Sequence, residues 1–136
     1  MITRRHLLAG LAGISVSGFV AGAAGALEFI DYTGTELEGL VDSGAPYLIN
    51  FHASWCPTCA AQQRVLDALQ GESAAYAAIP ILRVDWDSYG NSELARNMAI
   101  PRRSTLVLMR GTSELGRLVA ETRKDRIAGL LDLAAS

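Results

Sequence analysis

The chain has 136 residues, 50% of them apolar, with 19% charged side chains and a formal net charge of −2. That length admits one ordinary domain, and that composition supports a packed core rather than disorder. The mild charge, with no basic cluster interleaved with aromatics, argues against a nucleic-acid or polyanion binder.

Residues 1–26 read as an export signal rather than as part of the fold. Arg4 and Arg5 follow Thr3, and no further formally charged side chain appears until Glu28. The apolar stretch between them ends in Ala24-Gly25-Ala26, an A-x-A pattern suited to a signal peptidase. Of residues 7–26, 11 are Ala or Gly, so the stretch just reaches the length of a membrane span but is a poor permanent anchor. "TRRHLL" resembles a twin-arginine export signal, and low hydrophobicity favours that route over ordinary secretion or a retained anchor. Cleavage after Ala26 leaves a domain at 27–136 with 14 acidic and 10 basic side chains, the 12 of the whole chain less Arg4 and Arg5. The expectation is a periplasmic domain, not embedded in the membrane, in a compartment where a dithiol stays reduced only if something supplies electrons.

The mature chain alternates strand and helix signals. "LEFIDYT" (27–33) reads as an edge strand. "GTELEGLVDSG" carries Leu37, Leu40 and Val41 at helical spacing, with Thr35 as N-cap and Gly44 as stop. "PYLINFHA" (46–53) is a nearly continuous apolar run too short for a helix, which suits a central buried strand. A helix follows from Cys56 to about Gln70, with Val65, Leu66 and Leu69 on one face. "IPILRVDWD" (79–87) is a second buried strand, and "NSELARNMA" a short helix with Leu94 and Met98 at i, i+4. "STLVLM" (104–109) is a third, "RGTSE" a turn, and "LGRLVAE" its hairpin partner. "TRKDRIAGLLDLAA" closes the chain as a helix with Ile127, Leu130, Leu131 and Ala134 on one face. Two parallel crossovers, a hairpin and a final helix predict an α/β domain, a mixed central sheet with helices on both faces.

Both cysteines lie in "NFHASWCPTCAA" (50–61), as Cys56 and Cys59. The pair sits where a buried strand gives way to a helix, so Cys56 falls near the N-cap and Pro57 at N1, where a missing amide costs no hydrogen bond. The first thiol then faces unpaired N–H groups and the positive end of the helix dipole, which favour thiolate. Cys59 lies one turn on, on the same face beyond Thr58, and less exposed. Four uses compete. A staple across so short a loop removes little unfolded-chain entropy. Structural zinc normally takes four ligands, and the mature domain offers two thiols and His52. A metal or iron–sulphur cluster shared by two chains at a dimer interface is the stronger alternative to redox cycling of the pair.

"FHASWCPTC" after an apolar strand resembles the thioredoxin-like superfamily, whose members carry F-x-A-x-W-C-x-x-C at a strand end. Phe51, Ala53 and Trp55 make the match specific, and it extends over roughly 28–135. The resemblance implies a thioredoxin-like fold and a thiol–disulfide oxidoreductase that needs no cofactor or metal. It casts Cys56 as attacking thiolate and Cys59 as resolving thiol, joined to protein substrates through a mixed disulfide. It also implies a reductant, fed by a thiol-transferring membrane protein.

Two departures stand out. Thioredoxins carry an aspartate six residues before the first cysteine, where this chain has Asn50. An amide cannot take a proton at neutral pH, and Asn50 either holds a hydrogen bond for the thiols or satisfies neighbouring backbone. The family's cis-proline before the third core strand aligns with Ser104 in "AIPRRSTLVLM", or, less well, with Pro101. A cis bond without proline costs about 3 kcal/mol, so the Arg103–Ser104 peptide is expected trans. This substrate-facing loop brings Arg102 and Arg103, which either favour the thiolate and acidic partners or point into solvent. His52 reads as a packed strand residue, with support of the thiols as the alternative.

Overall fold

The structure, a computed structural model, describes residues 29–136, so the export segment at 1–26 lies outside the described residues. Strand β1 (Phe29–Asp31) leads to helix α1 (Glu36–Asp42). Thr35 stands at its N-cap as expected but makes no capping bond; the Glu36 carboxylate takes the amides of Thr33 and Thr35 instead. Strand β2 (Pro46–His52) precedes α2 (Pro57–Glu72), which runs two residues past the expected end. A turn of helix that the sequence reading missed, α3 (Ala74–Ala77), follows at once, with Ser73 capping it by accepting the Tyr76 amide.

Strand β3 is shorter than expected, Ile81–Asp85, because the Asp85 carboxylate caps a new helical turn, α4 (Trp86–Tyr89), by accepting the Ser88 amide at 3.0 Å. Helix α5 (Glu93–Asn97), strands β4 (Thr105–Arg110) and β5 (Ser113–Val119), helix α6 (Lys124–Asp132) and a 3₁₀ turn (Leu133–Ala135) complete the chain. The β4–β5 turn holds Gly111 at φ +58, a left-handed conformation that glycine adopts without strain.

The five strands form one mixed sheet in the order β1-β3-β2-β4-β5. β2 runs parallel to β3, and β3 to β1, while β4 is antiparallel to both β2 and β5. β2 is therefore central and covered on both faces, which is why its sequence is apolar almost throughout. Leu48, with Leu106 and Leu108, faces α2 and α6 and packs on Leu66, Leu69 and Ile127. Tyr47, Ile49 and Phe51 face the other way, towards α1, α4 and α5. Each such fully buried side chain contributes about 1.5–3 kcal/mol. Gly116 on β5 lets α6 approach: a Cβ there would lie 2.8 Å from Leu133 and 3.0 Å from Leu130.

The parity of β2 sets the site. Asn50 and His52 share the α2 face with Leu48, and the strand delivers the chain to Cys56 at the C-terminal edge of the sheet. No helix among the described residues is long and apolar enough to cross a membrane.

Candidate active site

Cys56 occupies the N-cap of α2 in an extended conformation, φ −88° and ψ 117°, with Pro57 at the first helical position. Its sulphur accepts the Cys59 amide at 3.2 Å, so the thiol itself caps the helix. Burial opposes its ionisation, but hydrogen bonds from the Cys59 thiol, the Ser104 hydroxyl and the Cys59 amide, with a smaller contribution from Arg103, together bring it down to about 6. Cys59 is displaced the other way. Burial raises it first, and its hydrogen bond to Cys56 raises it further. One sulphur is thus a thiolate at neutral pH and the other a thiol.

Ser104 joins them. Its Oγ lies 3.3 Å from Cys56 Sγ and 3.0 Å from Cys59 Sγ, and the residue is fully buried. The sequence placed Ser104 in a substrate-facing loop; here its hydroxyl faces the two thiols. Its peptide to Arg103 is trans, as expected, and its φ is +63, a strained value for a residue other than glycine. Three bonds hold it there. Its amide donates to Phe51 O at 2.8 Å, and its carbonyl accepts the Ala120 amide at 2.8 Å and Gln62 Nε2 at 2.9 Å.

Gln62 joins the site through Ser104, and the sequence did not single it out. It is buried on α2, and its Nε2 also donates to Glu121 O at 2.9 Å, tying the loop before β4 to the segment between β5 and α6. Cys59, Gln62, Leu66 and Leu69 form one buried stripe of α2, so a polar residue inside an apolar face was the available signal.

The arginines do not simply point into solvent. The Arg103 guanidinium stacks 4.4 Å from the centre of the Trp55 ring, and the Trp55 indole donates to the Asp87 carboxylate at 2.9 Å. Arg102 donates to Arg103 O at 3.1 Å, and its own carbonyl accepts the Thr105 hydroxyl. Trp55 precedes Cys56 and Arg103 precedes Ser104, so the stack ties together the two segments that carry the thiol and the hydroxyl. Cys59 is the less exposed sulphur, as expected, but Cys56 itself retains only 2% exposure, while Trp55 is 56% exposed and Pro57 is also exposed. Thr58 is half-buried between the cysteines.

Asn50 departs from both expectations. It is fully buried, yet neither amide atom has a hydrogen-bond partner, so it neither bonds the thiols nor satisfies neighbouring backbone. His52 stays apart from the thiols, in a cleft of about 290 Å³ lined by Asp31, Tyr32, Ser54, Arg83 and Asp85. Burial and then Arg83 lower its pKa against the opposing effect of Asp85. Among the described residues, no group of three or more His, Cys, Asp or Glu side chains is placed to hold a metal. The burial of both sulphurs gives a cluster shared between chains no support.

The Thioredoxin family model matches residues 29–132. Thioredoxin H2-1 of Oryza sativa subsp. japonica is 32% identical over 78 residues, which cover 57% of this chain and 53% of that protein. The chain thus spans about half the length of the rice relative. A thioredoxin of Mycobacterium bovis is 31% identical over 85 residues, 62% of this chain and 70% of that one. Among solved structures, Trxlp from Edwardsiella tarda superposes with a TM-score of 0.67 at 27% identity, covering 75% of this chain and 97% of that one.

Proposed function

Since this chain belongs to the thioredoxin family, we propose that it is a thiol–disulfide oxidoreductase acting on protein substrates in the bacterial envelope. One observation carries the reading: Cys56 is held as a thiolate at the mouth of α2, one turn from a neutral Cys59. Cys56 attacks a substrate disulfide, expels one substrate thiol and remains joined to the other as a mixed disulfide. Cys59 then attacks Cys56, releases the second thiol and leaves the Cys56–Cys59 disulfide, which an electron donor reduces again.

Its net direction is reductive. A first thiol near 6 lies closer to the value of about 7 for thioredoxin than to the value of about 3.5 for the strong periplasmic oxidant. Ser104 takes the place of the family's cis-proline and Asn50 that of its aspartate. Substrates are chosen by the exposed rim of Trp55 and Pro57 together with Arg103, which suits acidic flanks around the disulfide. The export segment delivers the domain to the periplasm, where a thiol-transferring membrane protein supplies electrons.

The test is insulin reduction by the wild type, Cys56→Ser and Cys59→Ser. The wild type is expected to turn over, Cys56→Ser to be inactive, and Cys59→Ser to accumulate a mixed disulfide visible by mass. Turnover that survives Cys56→Ser would overturn the proposal. Equilibration with glutathione reads direction: a potential near about −270 mV supports a reductant, and one near about −120 mV an oxidant. Amino-terminal sequencing of the periplasmic protein, expected to begin at Leu27, tests export.

A further inference from the structure

We propose that the Ser104 hydroxyl sets the redox poise of the cysteine pair by favouring the dithiol over the disulfide. The proposal rests on the exchange chemistry above and gives Ser104 a share in its driving force. Ser104 Oγ lies 3.3 Å from Cys56 Sγ and 3.0 Å from Cys59 Sγ, and among the described residues it has no other hydrogen-bond partner. A hydroxyl can donate and accept at once. The Cys56 thiolate has no proton to give, so the hydroxyl donates to it and accepts from the Cys59 thiol. Both of its capacities are used, in a residue that is fully buried.

Oxidation removes both partners together. Glutathione disulfide joins Cys56 Sγ to Cys59 Sγ by way of a mixed disulfide. The pair gives up two electrons and the Cys59 proton, and glutathione leaves as one thiol and one thiolate. The hydroxyl then lies beside two disulfide sulphurs, which carry neither charge nor proton and accept only weakly. It has nowhere else to turn. The Ser104 amide is bound to Phe51 O at 2.8 Å, and its carbonyl to the Ala120 amide at 2.8 Å and Gln62 Nε2 at 2.9 Å, which pins the residue at φ +63. The bonds lost with the dithiol are therefore not replaced, and a hydrogen bond to a charged group is the stronger kind. A group that stabilises the reduced form makes the disulfide easier to reduce. Ser104 thus eases the return of the pair to its dithiol form after each turnover.

The experiment equilibrates the full chain with mixtures of glutathione and glutathione disulfide and reads the dithiol fraction by alkylation and mass. It compares the wild type with Ser104→Ala and Ser104→Gly. Glycine suits the positive φ and alanine retains the strain, so the two variants share only the loss of the hydroxyl. Conditions are set well above the Cys56 midpoint of about 6. Both variants should be half oxidised at a ratio of squared glutathione to glutathione disulfide about tenfold higher than the wild type, a potential about 30 mV lower. The pH midpoint of Cys56 alkylation should also rise in both by about one unit, the same factor of ten. An unchanged or lower ratio in either variant overturns the proposal and leaves the exchange reading standing. A wild type in which glutathione disulfide does not form the Cys56–Cys59 disulfide overturns that reading and the proposal with it.

Discussion

Asn50→Leu exchanges a fully buried amide for an apolar side chain of the same branched shape with somewhat larger tips, between Leu48 and His52 on the central strand. Neither amide atom of Asn50 has a hydrogen-bond partner. An unpaired polar group of this kind costs about 1–3 kcal/mol in mutational measurements, and leucine fills the same space without a cavity. With about 2 kcal/mol relieved and about 4 °C per kcal/mol for a domain slightly over 100 residues, Tm should rise by about 8 °C. The assay is a far-UV circular dichroism melt of the reduced protein, so that a disulfide does not add its own stabilisation. A fall in Tm would refute the reasoning, because it would mean that the amide is engaged in solution by a partner whose loss outweighs the relief.

Arg103→Ala should raise the pH at which Cys56 becomes reactive. Alkylation needs the thiolate, so the wild-type rate is flat well above a midpoint of about 6 and falls as pH drops through it. Arg103 contributes least of the groups that favour the anion, so its loss should move the midpoint up by about half a unit, below the one to three units of a close opposite charge. Mass-resolved alkylation between pH 4 and 9 (a span of about five units around the midpoint) reads the shift, and an unmoved midpoint would free the thiol from Arg103. Gln62→Leu removes the donor to Ser104 O and Glu121 O. The first carbonyl keeps the Ala120 amide while the second loses its bond to Gln62, and loss of the buried, unpartnered Gln62 Oε1 offsets part of that, for a net cost of about 1 kcal/mol. A thermal melt should fall by about 4 °C; an unchanged or higher melt would show that the tether contributes nothing to stability.

The core strands were legible because they are apolar on both faces, and the start of α2 because a proline follows a cysteine at a strand end. That context was enough to place Cys56 at a cap. What the sequence hid depends on partners far along the chain. The Trp55–Arg103 stack joins residues 48 positions apart, as does the Cys56–Ser104 contact, and no local periodicity records either. Helical turns α3 and α4 were missed because each is four residues long and is fixed by a side-chain cap, from Ser73 and Asp85, rather than by an amphipathic stripe. The antiparallel course of β4 beside β2 was likewise not written in either strand, since a buried strand reads alike in both directions.

Acidity and accessibility usually rise together at a reactive cysteine, and an acidic sulphur open to water invites peroxide to carry it through sulfenic to irreversible sulfinic acid. Here the two properties part, since Cys56 is acidic and yet only 2% exposed. A small oxidant meets a shielded atom, and a substrate disulfide has to part the segments packed around it. Burial of the acidic sulphur therefore guards the domain against chemical ageing.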